Sequence, residues 1–427
     1  MERCSELYRQ FVAILEEELR PAMGCTEPIA LAYAAAKARE VLGSTPDRVE
    51  ARVSGNIIKN VKSVVVPNTG GLRGIAAAIC AGIIAGEAGK ELQVISNVTD
   101  QQRIALNEYM TTVDLEISPS DSSLVFDIDL TMFRGSDRVR LRIVNHHTNI
   151  VLIQKNDTVL LELPITESSE DNLTDKSCLS IERIVEFADA LNVEDIRGCV
   201  GRQIEYNMAI AEAGLAGNWG ANIGRVILRQ QGQTLEKRAC AYAAAGSDAR
   251  MSGCEKPVII LSGSGNQGIT ASVPVVIVAR EKGASEEELL KAVAVSDLVT
   301  IHQKTGIGRL SAYCGAISAG CGAGAGIAYL CGGRFHAVAH TVVNAIAILS
   351  GTICDGAKPS CAAKIAAAVD AGILGYDMYR ENQQFYGGDG IVTKGVDKTV
   401  TNVGRLAREG MRETDKTILE IMLSDGC

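Results

Sequence analysis

The sequence predicts an α+β protein: a mainly helical unit carrying, near its start, an inserted α+β domain with a mostly antiparallel sheet. Three observations lead there. Apolar residues recur at helical spacing before residue 45 and again after Ser180. Between about Val49 and Pro164 the period changes to β-branched runs separated by polar turns. The second half is crowded with Ala and Gly, a composition that lets helices pack closely, whereas aromatic residues make up only 4% of the chain.

Taken in order, Leu7, Phe11, Ile14, Leu15 and Leu19 share one helix face, and Pro21 ends that helix just before the sequence GCTEP. A second helix follows, with Thr26 as N-cap, Glu27 and Pro28 in its first turn and Gly43 at its end, so that Cys25 sits just outside a helix N-terminus. The runs VEARVSG, SVVVPN, LQVISN, SLVFDIDLTMF, RVRLRIV, NIVLIQ and TVLLELP read as strands, interrupted by one uncharged helix from Gly74 to Gly86. The acidic, Ser-rich segment from Ile165 to Ser177 reads as a linker. Beyond it the pattern is helical apart from the apolar run PVIIL before SGSGNQG. The expected division is therefore 1–45, helices packing on the helical unit; 46–165, the α+β domain; and 166–427, the helical domain.

With 427 residues the chain can bury an enzyme-sized core. A net charge of −9 and the lack of Lys/Arg blocks interleaved with aromatics argue against nucleic acid and for a small-molecule partner. The stretch from Ala312 to Gly333 has no charged residue, but its Gly and Ala content gains little in lipid, so a buried helix is expected and no membrane span. Cysteine is the outlier at 13 copies, an odd number without a signal-peptide pattern ahead of it. A cytoplasmic, reduced protein is the expectation, its cysteines being either packing residues or ligands.

Four constellations carry chemistry. Cys354 and Cys361 form a C-x6-C pair in TICDGAKPSC, where Gly356 and Pro359 break the backbone and let thiolates converge; Cys314 enters from the uncharged segment before it. Such a loop suits a soft iron–sulfur centre, and buried structural cysteine is the alternative. Cys25 at a helix N-terminus suits a thiolate acting as base, nucleophile or ligand, or else a small buried residue. SGSGNQG, Ser262 to Gly268, matches a dinucleotide fingerprint, but Pro274 lies in the helix that would follow and no βαβ unit does; a backbone cradle for a carboxylate or a plain turn fits equally. SGNIIKN and VVVPNTGGLRG place Asn56, Lys59, Asn60, Asn68 and Thr69 beside glycines, suited to an amino-acid carboxylate or to ordinary turns. His336 and His340 share a helix face at a zinc-like spacing without the accompanying Glu and read as packing residues.

GCTEPIALAYAAA, SGNIIKNV, VPNTGG, SGSGNQG, CGAISAGCGAGAG and CDGAKPSC occur in this order, and together they resemble the L-cysteine desulfidase family, related to the iron–sulfur L-serine dehydratases. The resemblance spans nearly the whole chain. It implies a 4Fe-4S cluster held by Cys314, Cys354 and Cys361, with Cys25 nearby as base or switchable ligand. It implies β-elimination of L-cysteine to hydrogen sulfide, pyruvate and ammonia, the substrate's carboxylate being held by the Ser262, Ser264 and Asn266 segment with Asn56, Lys59 and Asn60. A homodimer is the expected assembly. Dehydration of L-serine, a pyridoxal-phosphate enzyme using SGSGNQG as phosphate cradle, and a non-catalytic amino-acid sensor are the competing readings. Cys427, a terminal residue with both thiol and carboxylate, is either a cap for the cluster's open iron or a frayed end.

Overall fold

A computed structural model describes the chain except residues 123, 166–172, 231, 309–310 and 425–427. Cys427 and the middle of the expected linker thus lie outside the described residues.

The chain opens with α1 (Glu6–Glu18), β1 (Pro21–Met23) and α2 (Thr26–Leu42). Ser5 caps α1 by accepting from the backbone N–H of Tyr8, and Tyr8, Phe11, Ile14 and Leu15 are buried on one face, Tyr8 and Phe11 against Phe187. There follow β2 (Arg48–Val53), α3 (Gly55–Val61), α4 (Gly74–Ala85), α5 (Asp100–Thr112), β3 (Asp114–Pro119), β4 (Asp127–Arg134), β5 (Asp137–Val144), β6 (Ile150–Lys155) and β7 (Thr158–Glu162). The rest is α6 (Ile181–Ala190), α7 (Arg202–Ala216), α8 (Ile223–Gln230), α9 (Leu235–Met251), β8 (Pro257–Ile259), α10 (Gly265–Lys282), α11 (Glu286–Ile307), α12 (Gly315–Leu330), α13 (Phe335–Ile348), α14 (Cys361–Arg380), α15 (Val396–Arg405) and α16 (Arg412–Ser424).

The protein is α+β and mainly helical, as expected. Its six-stranded sheet has the order β3-β2-β4-β5-β6-β7, antiparallel throughout except for the β2–β3 pair. Inward residues alternate with outward ones: Ile128, Leu130 and Met132 of β4 and Val139, Leu141 and Ile143 of β5 are fully buried, and α2 and α4 pack together, with α2 also against β4 and β5.

Two expected strands are absent. In SVVVPN only Val65 makes a bridge, to Arg73, because Pro67 has no N–H to donate and Asn68 turns the chain at a φ of +62°. LQVISN is a 3₁₀ turn and bend whose Val94 and Ile95 are buried as turn residues. The elements that went unread include the three-residue β1, the seven-residue α3, α5 and β3. The helix α5 buries only Leu106 and so has no apolar stripe, although its Thr99–Gln102 capping box is a local start signal; β3 is an edge strand in which Leu115 and Ile117 alternate with polar residues but no side chain is fully buried.

In the helical part α12 is central, packed by α10, α11, α13 and α14. A Cβ on Gly324 would lie 2.3 Å from the carbonyl oxygen of Gly372, and one on Gly372 would lie 2.1 Å from that of Gly320. The uncharged segment is therefore a buried helix in backbone contact with α14, which is what its small residues are for. No helix among the described residues is long and apolar enough to cross a membrane.

Candidate active site

Three chain crossings build one cavity of about 830 Å³. The first is the antiparallel pairing of β1 with β8, Ala22 opposite Val258, which sets GCTEP beside SGSGNQG. Cys25 is the N-cap of α2, one residue ahead of the expected cap, and Thr26 donates from Oγ1 to the carbonyl of Gly263 at 3.0 Å. The second is α3, whose Asn60 donates to Glu27 Oε1 at 3.1 Å. The third is a two-stranded bridge in the C-terminal half: Tyr313 opposes Ile353, Cys314 donates its N–H to Thr352 at 2.9 Å, and Cys354 donates to Ala312 at 2.6 Å. That bridge brings together two cysteines 40 positions apart.

Cys361, at the first turn of α14, completes a thiol group with Cys314 and Cys354, and all three line the cavity together with Cys25. The loop between Cys354 and Cys361 turns at Gly356, whose φ is +99°. A Cβ there would fall 2.2 Å from the carbonyl oxygen of Lys59, so only glycine lets this loop rest on α3. Ala357 of the same loop packs against the small buried group of Cys25, Val64 and Met251.

The thiols are not equivalent. The Cys314 thiol hydrogen-bonds Cys354 and, helped by the charges of Lys59 and Lys364, brings Cys354 down to about 6, within reach of the thiolate at neutral pH. Cys314, as the donor of that bond and buried, is held well above the usual thiol value, and burial also pushes Cys361 up. Among the described residues no three thiol, imidazole or carboxylate groups converge on one metal ion. Thiols that anchor different corners of a cluster stand further apart than the ligands of a single ion, so that observation bears on mononuclear sites only.

Cys25 is 2% exposed, and burial together with the neighbouring charge of Glu27 raises its thiol far above the ordinary value, overriding the helix dipole that favours a thiolate. Its Sγ donates to Glu27 Oε2 at 3.1 Å, an oxygen that Thr26 Oγ1 also approaches at 3.1 Å. Glu27, read from sequence only as a first-turn helix residue, is thus a buried carboxylate in contact with the candidate base.

The remaining expected substrate contacts divide. Ser262, Ser264 and Asn266 line the cavity where the chain turns into α10, Ser262 at a φ of +47°. The dinucleotide reading finds no support in this geometry, since β8 belongs to an antiparallel pair and not to a βαβ unit. Asn60 is engaged by Glu27. Asn56 and Lys59 also reach the cavity, but their polar ends meet Asp415 of α16: Asn56 Nδ2 donates to Oδ2 at 3.2 Å and Lys59 forms an ion pair with Oδ1. Asn68 instead donates to the carbonyl of Ile95, a turn function. His340 stacks on Tyr379, a packing role.

Arg250, in the last turn of α9, was not singled out by any pattern. It is 2% exposed, lines the cavity and donates from Nε to the carbonyl of Gly24 at 2.9 Å. An arginine in the last turn of a helix ordinarily reads as a surface complement to the dipole.

The pattern of the serine dehydratase alpha chain family matches residues 73–420. A UPF0597 protein of Desulfitobacterium hafniense (strain Y51) is 58% identical over 424 residues, covering 99% of each chain. UPF0597 proteins of Treponema denticola and Lachnoclostridium phytofermentans are 45% and 46% identical, each over 98% of this chain and 98% and 100% of the relative. With a matched region that takes in the thiol group, Arg250 and the turn into α10, and relatives aligned from end to end, the chain belongs to the serine dehydratase alpha chain family.

Proposed function

We propose that this protein is an L-cysteine desulfidase, eliminating sulfide from L-cysteine in a cavity whose 4Fe-4S cluster is held by Cys314, Cys354 and Cys361. The single observation that carries the reading is the gathering of these three thiols and Cys25 around one cavity. The donor set fits such a group: three soft sulfur ligands, one already poised as thiolate with Lys59 and Lys364 nearby, in a space that a mononuclear ion would not need. When bound, the cluster supplies a Lewis-acidic iron that draws charge from the leaving β-substituent.

The chain's own residues supply the proton chemistry. The α-proton of an amino acid is weakly acidic, so it needs a positioned base. Cys25 acts as a relay: as Sγ takes the α-proton, its own thiol proton passes to Glu27 Oε2 along the 3.1 Å contact, so that no free thiolate has to form beside the carboxylate. Asn60 and Thr26 hold Glu27 in place for that transfer. Ser262, Ser264 and Asn266 contact the substrate from the turn into α10. Elimination leaves 2-aminoacrylate and sulfide, and water then converts the aminoacrylate to pyruvate and ammonia.

Dehydration of L-serine by the same proton transfer is the second reading, favoured by the family to which the chain belongs. Anaerobically prepared protein should contain iron and acid-labile sulfide and release hydrogen sulfide from L-cysteine faster than pyruvate from L-serine. The reverse preference assigns serine; protein without iron and without either activity removes the lyase reading.

A further inference from the structure

Arg250 is a fully buried cation with no carboxylate at ion-pair distance among the described residues. Neither Nη atom has an acceptor among the described residues; the one hydrogen bond it makes is from Nε to the carbonyl of Gly24. A buried, uncompensated charge is strongly unfavourable and persists only where something outside the fold completes it. Its side chain borders the cavity, and its charge is felt by both Cys25 and Cys361, which places it between the candidate base and the thiol group. A Cβ on Gly265 would lie 2.4 Å from Arg250 Nε, so the guanidinium rests directly on the first residue of α10. The N-cap of that 18-residue helix, Ser264, makes no capping bond with its side chain. An anion placed there meets a guanidinium fork and a helix N-terminus at once.

The opposite requirement lies a turn away. Gln267 is 4% exposed, lines the same cavity, and its Oε1 has no donor; Asn266 Oδ1 is likewise buried and unfilled. Gln267 abuts Gly315, where a Cβ would be 2.6 Å from Cδ, so this acceptor sits next to Cys314. An ammonium satisfies acceptors of this kind and is repelled by Arg250.

We infer that Arg250 and Gln267 together form the recognition site for an α-amino-acid zwitterion, Arg250 with the α10 N-terminus taking the carboxylate and the carbonyl oxygens of Gln267 and Asn266 taking the ammonium. Of the cavity's other cations, Lys59 is already matched by Asp415 and Lys176 by Glu18, and Arg250 is the one whose charge reaches both Cys25 and Cys361, which is why the carboxylate anchor falls to it. The assignment rests on the lyase reading for the fate of the substrate, though not for the binding itself. It makes the enzyme selective for substrates carrying both charges on one carbon.

Two thiol probes separate the halves: 3-mercaptopropionate has the carboxylate without the ammonium, and cysteamine the ammonium without the carboxylate. Both are titrated by calorimetry into the anaerobically prepared enzyme and into R250M, R250K and Q267L, alongside KM and kcat for L-cysteine and L-serine. Removing one member of a buried charge pair predicts about 10²–10³-fold weaker 3-mercaptopropionate binding in R250M with cysteamine unchanged, the loss appearing in KM before kcat. R250K, which keeps charge but loses the fork, should fall between wild type and R250M. Q267L should weaken cysteamine and spare 3-mercaptopropionate. R250M binding 3-mercaptopropionate within 3-fold of wild type overturns the assignment; if R250M does not fold, an unchanged affinity in R250K does so. Crossed binding without turnover of either amino acid sinks the lyase reading and keeps this site, whereas turnover without the crossed pattern does the opposite.

Discussion

Replacing Gly356 with alanine tests how the thiol group is assembled. Two independent penalties act on that change. A φ of +99° costs an L-residue about 1–2 kcal/mol. The new Cβ would also stand 2.2 Å from the carbonyl oxygen of Lys59, a backbone atom of α3 that cannot rotate aside, and overpacking of that kind costs about 1–3 kcal/mol more. Gly43 is the internal control: its φ is +85°, but nothing lies within 4 Å of a Cβ there, and it ends α2 away from the thiols. G43A should therefore show the backbone penalty alone, lowering the unfolding midpoint by roughly 1–2 °C, and G356A the sum, roughly 2–6 °C. Because relief of the overlap pushes the loop off α3, G356A should also hold less iron after anaerobic reconstitution while G43A holds as much as wild type. Equal midpoints for the two variants, with full iron in G356A, would refute the claim that this contact places Cys354 and Cys361.

Substituting Cys25 with alanine or Glu27 with glutamine should leave iron content unchanged and reduce sulfide release by about 10²–10⁴-fold, the usual worth of a positioned base; retained turnover in both would remove the proton transfer assigned to them. Asp297, fully buried with Gln203 as its donor, is raised by burial to about 8 against an unfolded value of about 3.9. Since the folded chain holds this proton more tightly, the associated stability is present in full below pH 4 and is lost as the pH rises through 8. Asp297→Asn removes that slope, so the difference in midpoint between variant and wild type should grow in the variant's favour from pH 5 to pH 9, and a constant difference would contradict a neutral acid at this position. Asp415→Ala strands the 2%-exposed Lys59 side chain and should cost about 1–3 kcal/mol, felt first in α16, which buries none of its own residues. Limited proteolysis should then cut within 412–424 well before the rest of the chain, and an unchanged cleavage pattern would show that other contacts hold that helix.

Local pattern carried much of the fold. The amphipathic face of α1, the change of period at Val49 and the alternation in β4 to β6 are fixed by neighbours two to four positions away, and the helices and most strands appear where those spacings put them. SVVVPN misled because Pro67 and the left-handed Asn68 turn the chain after a single bridge, LQVISN because its apolar residues are buried in a 3₁₀ turn, and α5 was missed because a helix that buries one side chain has no stripe to read. At the site, the ordered motifs named the cysteines and the turn into α10. They did not reveal that burial would keep the Cys25 thiol protonated against Glu27, or that Asp415, more than 350 positions away, would occupy Asn56 and Lys59.

The sequence by itself determined most of the element types, the family and the residues able to bear thiolate chemistry, since those follow from spacing and side-chain identity. Only the tertiary structure decided which of them carry an unmet demand. Arg250 looks like any helix-end arginine until α10 and the GCTEP turn close over it; the field at a charge depends on everything folded around it, and so its missing counter-ion exists only in three dimensions.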